Sequence, residues 1–241
     1  MLQLDSFTSP GLVHGFFSRN GGVSSGTFAS CNVSYGVGDI IEAVHINRSR
    51  LKRTLGLKSI VSARQVHGDN VLLVDKEPET DFEADGYDSL VTNQHVGLLV
   101  QQADCQAVII FDPVQRVIGA AHVGWRGSVA GIIGKTVQAM SDNFASNPAD
   151  LKTAISPSLG SCCAEFINYQ QELPNWMHDF QVRPNYFDFW AISRSQLLES
   201  GIKPANINTT GICNYCSSDH FSYRRSRVTG RFATIIGLIA Q

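Results

Sequence analysis

The chain has 241 residues, 43% of them hydrophobic and 17% charged, with a formal net charge of −2. That length suits one hydrophobic core, that composition excludes disorder, and that charge gives no overall basic field for nucleic acid. No run approaches the ~20 apolar residues of a membrane helix, and the opening MLQLDSFTSPGLVHG lacks the basic start and apolar stretch of a signal peptide, so the expected location is the cytoplasm, with no membrane partner.

The first structural signal is Arg19-Asn20-Gly21-Gly22-Val23-Ser24-Ser25-Gly26, whose Asn-Gly-Gly centre predicts a loop that brings backbone close to another segment. Asp39 and Glu42 have capping-box spacing, and Ile41, Val44, Leu51 and Leu55 share one stripe, which predicts a helix over about 40–55. Gln65-Val66-His67-Gly68 follows a predicted strand. Strands are predicted at 96–101, 106–111, 116–123, 152–156, 185–190, 207–211 and 232–239, several as continuous apolar runs of the kind buried on both faces. Helices are predicted from Ser128, with Val129, Ile132, Ile133, Val137, Met140 and Phe144 in phase, and over 191–200, ending at Gly201. The reading is an α/β (α+β) fold, one layered domain over 1–241 with mixed β-sheets flanked by helices; no G-x-G-x-x-G or P-loop is present.

The chemistry concentrates between Ala103 and Gly127. Two apolar strands surround Asp112-Pro113, which suits the start of a type I turn. Centring the hairpin between Pro113 and Val114 pairs 111 with 116, 108 with 119 and Cys105 with His122. A bulge would shift that register by one. A thiolate facing an imidazole is either a pair of metal ligands or a nucleophile with its base. His67 offers a third ligand, and two His with one Cys is a set typical of catalytic zinc, leaving a fourth position for water or substrate.

Four ordered segments, QVHG at 65–68, ADC-x-x-V-x-I-x-DP at 103–113, H-x-GWRG at 122–127 and FSYRR…TGR-x-A at 221–233, closely resemble the YfiH-type family of laccase-domain or polyphenol oxidase proteins. The resemblance runs from RNGGVS at 19–24 to the C-terminus. It implies a YfiH-like fold and a purine nucleoside phosphorylase with adenosine deaminase and methylthioadenosine phosphorylase activity; some members are linked to peptidoglycan editing. It also implies zinc on His67, Cys105 and His122, with the three residues forming the catalytic centre. This chain departs from the family in Gln106-Ala107, where a Leu-Pro pair is usual, and in Ser156-Pro157-Ser158-Leu159-Gly160, where Gly-Pro-x-Ile-Gly is usual.

Zinc would serve deamination through a water of lowered pKa, whereas phosphorolysis needs phosphate held by arginine. Arg19, Arg64, Arg126 and Arg225, each in or beside a motif, are the candidates, against a reading as surface charge or structural ion pairs. Asp104 should face away from Cys105 on a regular strand, and Trp125 is a packed residue or a purine-stacking surface. The expected ligands are purine nucleosides and phosphate, and the expected assembly is a monomer or homodimer. Cys31, Cys162, Cys163, Cys213 and Cys216 read as buried thiols; the C-x-x-C spacing alone also suits a redox pair or half a structural zinc site with Cys162 and Cys163 as conceivable partners, although vicinal cysteines are sterically poor zinc ligands. Three rival functions stand beside the phosphorylase. A multicopper polyphenol oxidase is disfavoured by seven histidines without a His-x-His, although copper can occupy a three-ligand site. A metal-free hydrolase would use Cys105 and His122. A peptidoglycan-precursor editing protein would need an extended cleft.

Overall fold

The computed structural model describes residues 1–240. In chain order the elements are β1 (Leu12–Phe16), α1 (Ile41–Thr54), β2 (Ile60–Arg64), β3 (Val71–Leu73), β4 (Phe82–Asp85), β5 (Ser89–Thr92), β6 (Gly97–Gln102), β7 (Gln106–Asp112) and β8 (Val117–Val123). They continue through α2 (Trp125–Ala130), α3 (Ile132–Phe144), β9 (Lys152–Ile155), α4 (Tyr169–Glu172), β10 (Gln181–Arg183), β11 (Tyr186–Phe187), α5 (Phe189–Glu199), β12 (Ile207–Thr209) and β13 (Phe232–Leu238).

Two mixed sheets dominate, one in the order β1-β13-β6-β2-β4 and one in the order β12-β9-β7-β8-β5-β3. Side chains alternate faces along a strand, and β7 shows how both faces are buried. Ala107, Ile109 and Phe111 join Leu98, Val100 and Ile236 between the two sheets, while Val108 and Ile110 meet Ile133, Val137 and Leu197 of the helices. On the far face of the other sheet, Leu51 and Leu55 pack on Leu99 and Ile235. The order of layers is therefore helix, sheet, sheet, helix, and the expectation of layered mixed sheets flanked by helices holds. No helix among the described residues is long and apolar enough to cross a membrane.

The hairpin register differs from the predicted one by two residues. Phe111 pairs with Ile118 and Ala107 with His122. Asp112 Oδ1 accepts the N–H groups of Val114 at 2.8 Å and Gln115 at 3.1 Å, and Arg116 adopts φ 54°, so residues 113–116 all belong to the turn. A shift of two preserves the facing of every side chain; Cys105 and His122 still continue the rows that fill the space between the sheets.

Two helix expectations and one strand expectation also change. Asp39 does not close a capping box, because its Oδ2 accepts Ser24 Oγ and Asn32 Nδ2 instead, and Ile41 stays exposed at 70%. The helix expected from Ser128 divides into α2 and α3 at Gly131, whose φ of 78° ends one and starts the other. The strand expected over 185–190 shortens to Tyr186–Phe187, since Asp188 accepts Ala191 N at 3.0 Å and caps α5. The loop at 19–26 does bring backbones together: a β-carbon on Gly22 would lie 2.1 Å from Ser30 O.

Candidate metal centre and its cleft

The ends of β2, β7 and β8 meet where the inter-sheet core stops. His122 is the last inter-sheet side chain of β8, and Cys105 immediately precedes β7. His67 follows β2 on a turn, in the left-handed region at φ 61°. That conformation is uncommon outside glycine, and Asp88 holds it in place. Its carboxylate accepts Val66 N at 3.1 Å, His67 N at 2.9 Å and Gly68 N at 2.7 Å. The same carboxylate meets His122 Nδ1 at 2.8 Å, because the β5–β8 register that pairs Ser89 with Ala121 sets Asp88 opposite His122. One buried carboxylate thus positions two imidazoles.

His67, Cys105 and His122 each offer a ligand atom, all within 4.8 Å of one another. With the proton of a neutral His122 drawn to Nδ1 by Asp88, its Nε2 is left as a donor to a metal. Gly124 makes the packing feasible: a β-carbon there would lie 3.0 Å from both Cys105 Sγ and His67 Cδ2. The donor set and the carboxylate behind one imidazole fit a zinc-type ion. Without a cation, burial alone would raise the Cys105 thiol, but the charge of His122 and hydrogen bonds from His122 and His67 outweigh it and bring the pKa to about 6. Burial would lower His122, yet the Cys105 charge and the Asp88 hydrogen bond raise it to about 9. Burial likewise opposes ionisation of Asp88, and the His122 hydrogen bond and charge overcome it and hold the pKa below the usual carboxylate value.

The three residues line an open cleft of about 1080 Å³. Trp125, half-buried, forms part of its wall and stands edge-on to Phe166 at 6.5 Å. Of the arginines singled out in the sequence, Arg64 lines the cleft in an exposed ion pair with Asp85 at 2.6 Å. Arg19 donates to Ala29 O and lies over Phe221. Arg225 donates to the carbonyls of Asn214, Tyr215 and Ser217. Both guanidiniums are taken up by neighbouring backbone. Arg126, exposed, stacks on Trp125 at 4.3 Å. Arg224, Arg227 and Arg231, which the sequence reading passed over, line the cleft; all three lie within or between the FSYRR and TGR segments, which was the available signal.

Asp104 has φ 94°, so the regular strand assumed for it is absent. Its carboxylate accepts Asn214 Nδ2 at 3.1 Å, Ser222 Oγ at 2.6 Å and Arg224 N at 2.6 Å, tying the arginine-bearing loop to the residue beside Cys105. Gln106, at the position where the family pattern changes, has its Oε1 occupied by Ser193 Oγ at 2.5 Å. Asp88 was not singled out from the sequence; nothing in the spacing links it to a histidine 34 residues away. Cys31 is a buried thiol at 2% exposure. Cys162 and Cys216, in contrast, are exposed, and Cys163 and Cys213 only half-buried, so these four are not the core thiols expected.

The family of multi-copper polyphenol oxidoreductase laccases matches residues 13–239. Purine nucleoside phosphorylase ORF3 of Streptomyces griseus is 34% identical over 231 residues, covering 92% of this chain and 93% of that protein. The crystal structure of YlmD from Geobacillus stearothermophilus superposes with a TM-score of 0.87 at 29% identity, covering 98% of this chain and 94% of that one. The crystal structure of Bacillus licheniformis hypothetical protein YfiH gives a TM-score of 0.86 at 30% identity, covering 95% and 93%. By the extent of these matches, the chain belongs to the laccase-like family that includes YfiH and YlmD.

Proposed function

We propose that the chain is a metal-dependent purine nucleoside phosphorylase, with adenosine deaminase activity at the same centre, and that His67, Cys105 and His122 hold a zinc ion. The observation that carries this reading is the convergence of the three ligand atoms within 4.8 Å in the lining of a large cleft, in a chain whose relatives carry the phosphorylase name. A zinc ion there would lower the pKa of a water at its open position to about 7, which is the chemistry that deamination needs.

The remaining work falls to side chains. Phosphorolysis forms a bond from a phosphate oxygen to C1′ of the sugar and breaks the bond from C1′ to the base nitrogen, which leaves with the electron pair and takes up a proton. Phosphate is best held by guanidinium groups, and Arg64 and Arg227 are the candidates by their place in the cleft; Arg231 lines it too, with Nη1 already donating to Thr229 O and Gly230 O. The Arg64–Asp85 pair is 69% and 75% exposed, and such pairs contribute only about 0–1 kcal/mol, so Arg64 is free to change partner. Trp125 and Phe166 offer aromatic surface for the base. Asp88 keeps the His122 proton on Nδ1 throughout.

Incubating zinc-loaded protein with adenosine, inosine or methylthioadenosine and phosphate should release free base and, from adenosine, ammonia as well. No product from any of the three, with the metal bound, would overturn the reading. A second reading, a metal-free hydrolase, is favoured by the alignment of Asp88, His122 and a Cys105 thiol brought to about 6. It predicts activity that survives chelators, the reverse of the metal reading; alkylation of Cys105 should abolish activity under both, since the thiol is the nucleophile in one and a ligand in the other. Multicopper chemistry has less support: among the described residues only His67 and His122 of the seven histidines join the cluster.

A further inference from the structure

A second cluster lies outside the chemistry described so far. Cys162 and Cys163 occupy the turn that follows β9, and Cys213 and Cys216 the turn that follows β12; their four sulfurs lie within 4.8 Å of one another. Cys216 Sγ is 3.7 Å from Cys162 Sγ and 3.4 Å from Cys163 Sγ. A tetrahedral ion with metal–sulfur bonds of about 2.3 Å sets its sulfurs about 3.8 Å apart, so the sulfurs already stand near their bound separation. Adjacent cysteines are sterically awkward as joint ligands, yet here both reach the same partner sulfur.

We propose that Cys162, Cys163, Cys213 and Cys216 form a structural zinc site that clamps the turn after β9 to the turn after β12. Three further features suit it. Gly160 N donates to Cys213 Sγ at 3.3 Å, and the N–H groups of Tyr215 and Cys216 act on the same sulfur, the kind of backbone support that a metal-bound thiolate uses. The turns approach closely by design of the backbone: Ser158 pairs with Cys213 in an isolated parallel bridge, and a β-carbon on Gly160 would lie 3.0 Å from Cys213 Cβ. Binding releases the thiol protons to solvent and leaves four thiolates around a divalent ion, a net charge of about −2. Guanidiniums stand by to balance it, since Arg183 donates to Cys162 O at 2.9 Å and Arg225 to the carbonyls of Asn214, Tyr215 and Ser217.

The consequence reaches the cleft. Asn214, between the paired cysteines, and Ser222 and Arg224 farther along are the residues that Asp104 grips beside Cys105. An ion at the four sulfurs would therefore fix one end of the segment that carries Arg224, Arg227 and Arg231.

The test uses zinc content on protein purified with zinc and reductant, by elemental analysis. Cys105→Ala removes the other cluster, so this variant should retain one zinc per chain, and adding Cys213→Ser with Cys216→Ser should remove it. Cobalt-loaded Cys105→Ala should show intense thiolate-to-cobalt charge-transfer bands and the visible bands of tetrahedral cobalt, absent from the combined variant. Should Cys105→Ala fail to fold, Cys213→Ser with Cys216→Ser in the otherwise native chain should lower zinc content by one per chain. Zinc content unchanged by those two substitutions, cobalt without thiolate bands, or a mass showing the four cysteines oxidised to disulfides would overturn the proposal. None of these readouts depends on the nucleoside activity.

Discussion

Gly124 and Asp88 carry much of the weight of the His67–Cys105–His122 cluster although neither would ligate a metal. A methyl at 124 would sit 3.0 Å from Cys105 Sγ and His67 Cδ2, so Gly124→Ala should push two ligands apart while leaving the fold intact. The expected outcome is a normal circular dichroism spectrum with weakened zinc binding; an unchanged zinc affinity would show that the crowding is relieved elsewhere. Asp88→Asn replaces the buried acceptor of His122 Nδ1 and of three backbone N–H groups. Loss of such a partner behind a ligand costs ~10–100-fold in metal affinity, measurable by competition with a chromogenic chelator. The metal-stripped protein makes a pH prediction. Cys105 falls to about 6 and His122 rises to about 9, so between those values the pair is thiolate and imidazolium. Alkylation of Cys105 should rise through pH ~6 and then level, in contrast to the ~8.5 of an ordinary thiol; a midpoint near 8.5 would contradict it. Of these residues His67, Cys105 and His122 were legible in the sequence through residue type and motif. Asp88 was not, because its role depends on a strand pairing that no local pattern announces.

At the scale of elements, the turn at 113–116 and the break at Gly131 show where local pattern reaches its limit. Apolar runs marked β7 and β8 well, since strands buried on both faces advertise themselves. The register did not follow, because Asp112 captures two N–H groups with its side chain and lengthens the turn. The error was harmless to the site only because it was even. Gly131 was hidden inside a helical stripe that continues in phase across it. With φ 78° and no atom within 4 Å of an added β-carbon, Gly131→Ala isolates the conformational cost, ~1–2 kcal/mol. At roughly 2–4 °C per kcal/mol for a chain of this size, the Tm should fall by several degrees; no change would mean that α2 and α3 can readjust. Asp104→Ala removes the anchor of the 214–224 segment and should cost about 2–3 kcal/mol, as hydrogen bonds to a charged group do. Urea denaturation would measure it, and a loss below about 0.5 kcal/mol would show the segment to be held by other contacts.

Across the whole molecule, the layering of two sheets between helices explains why the cluster sits where it does. Inter-sheet side chains form a continuous apolar row until β7 and β8 run out, and there the row ends in a thiol and an imidazole instead of another aliphatic residue. The layered class followed from the interleaving of apolar runs with helical stripes. The cleft did not, because it is assembled from loops separated by more than 100 residues, as the Asp104–Ser222 bond illustrates. The arginine candidates are dispersed for the same reason: Arg64 lines the cleft, while Arg19 and Arg225 spend their guanidiniums on backbone. The central claim is that the His67, Cys105 and His122 side chains hold a metal on which nucleoside turnover depends. It is tested most directly by stripping the protein with a chelator, restoring zinc in steps, and following phosphate-dependent adenine release from adenosine beside the His67→Ala variant. Activity should vanish on stripping, return with added zinc and stay absent in the variant. Full turnover by the stripped protein, or by His67→Ala, would contradict it.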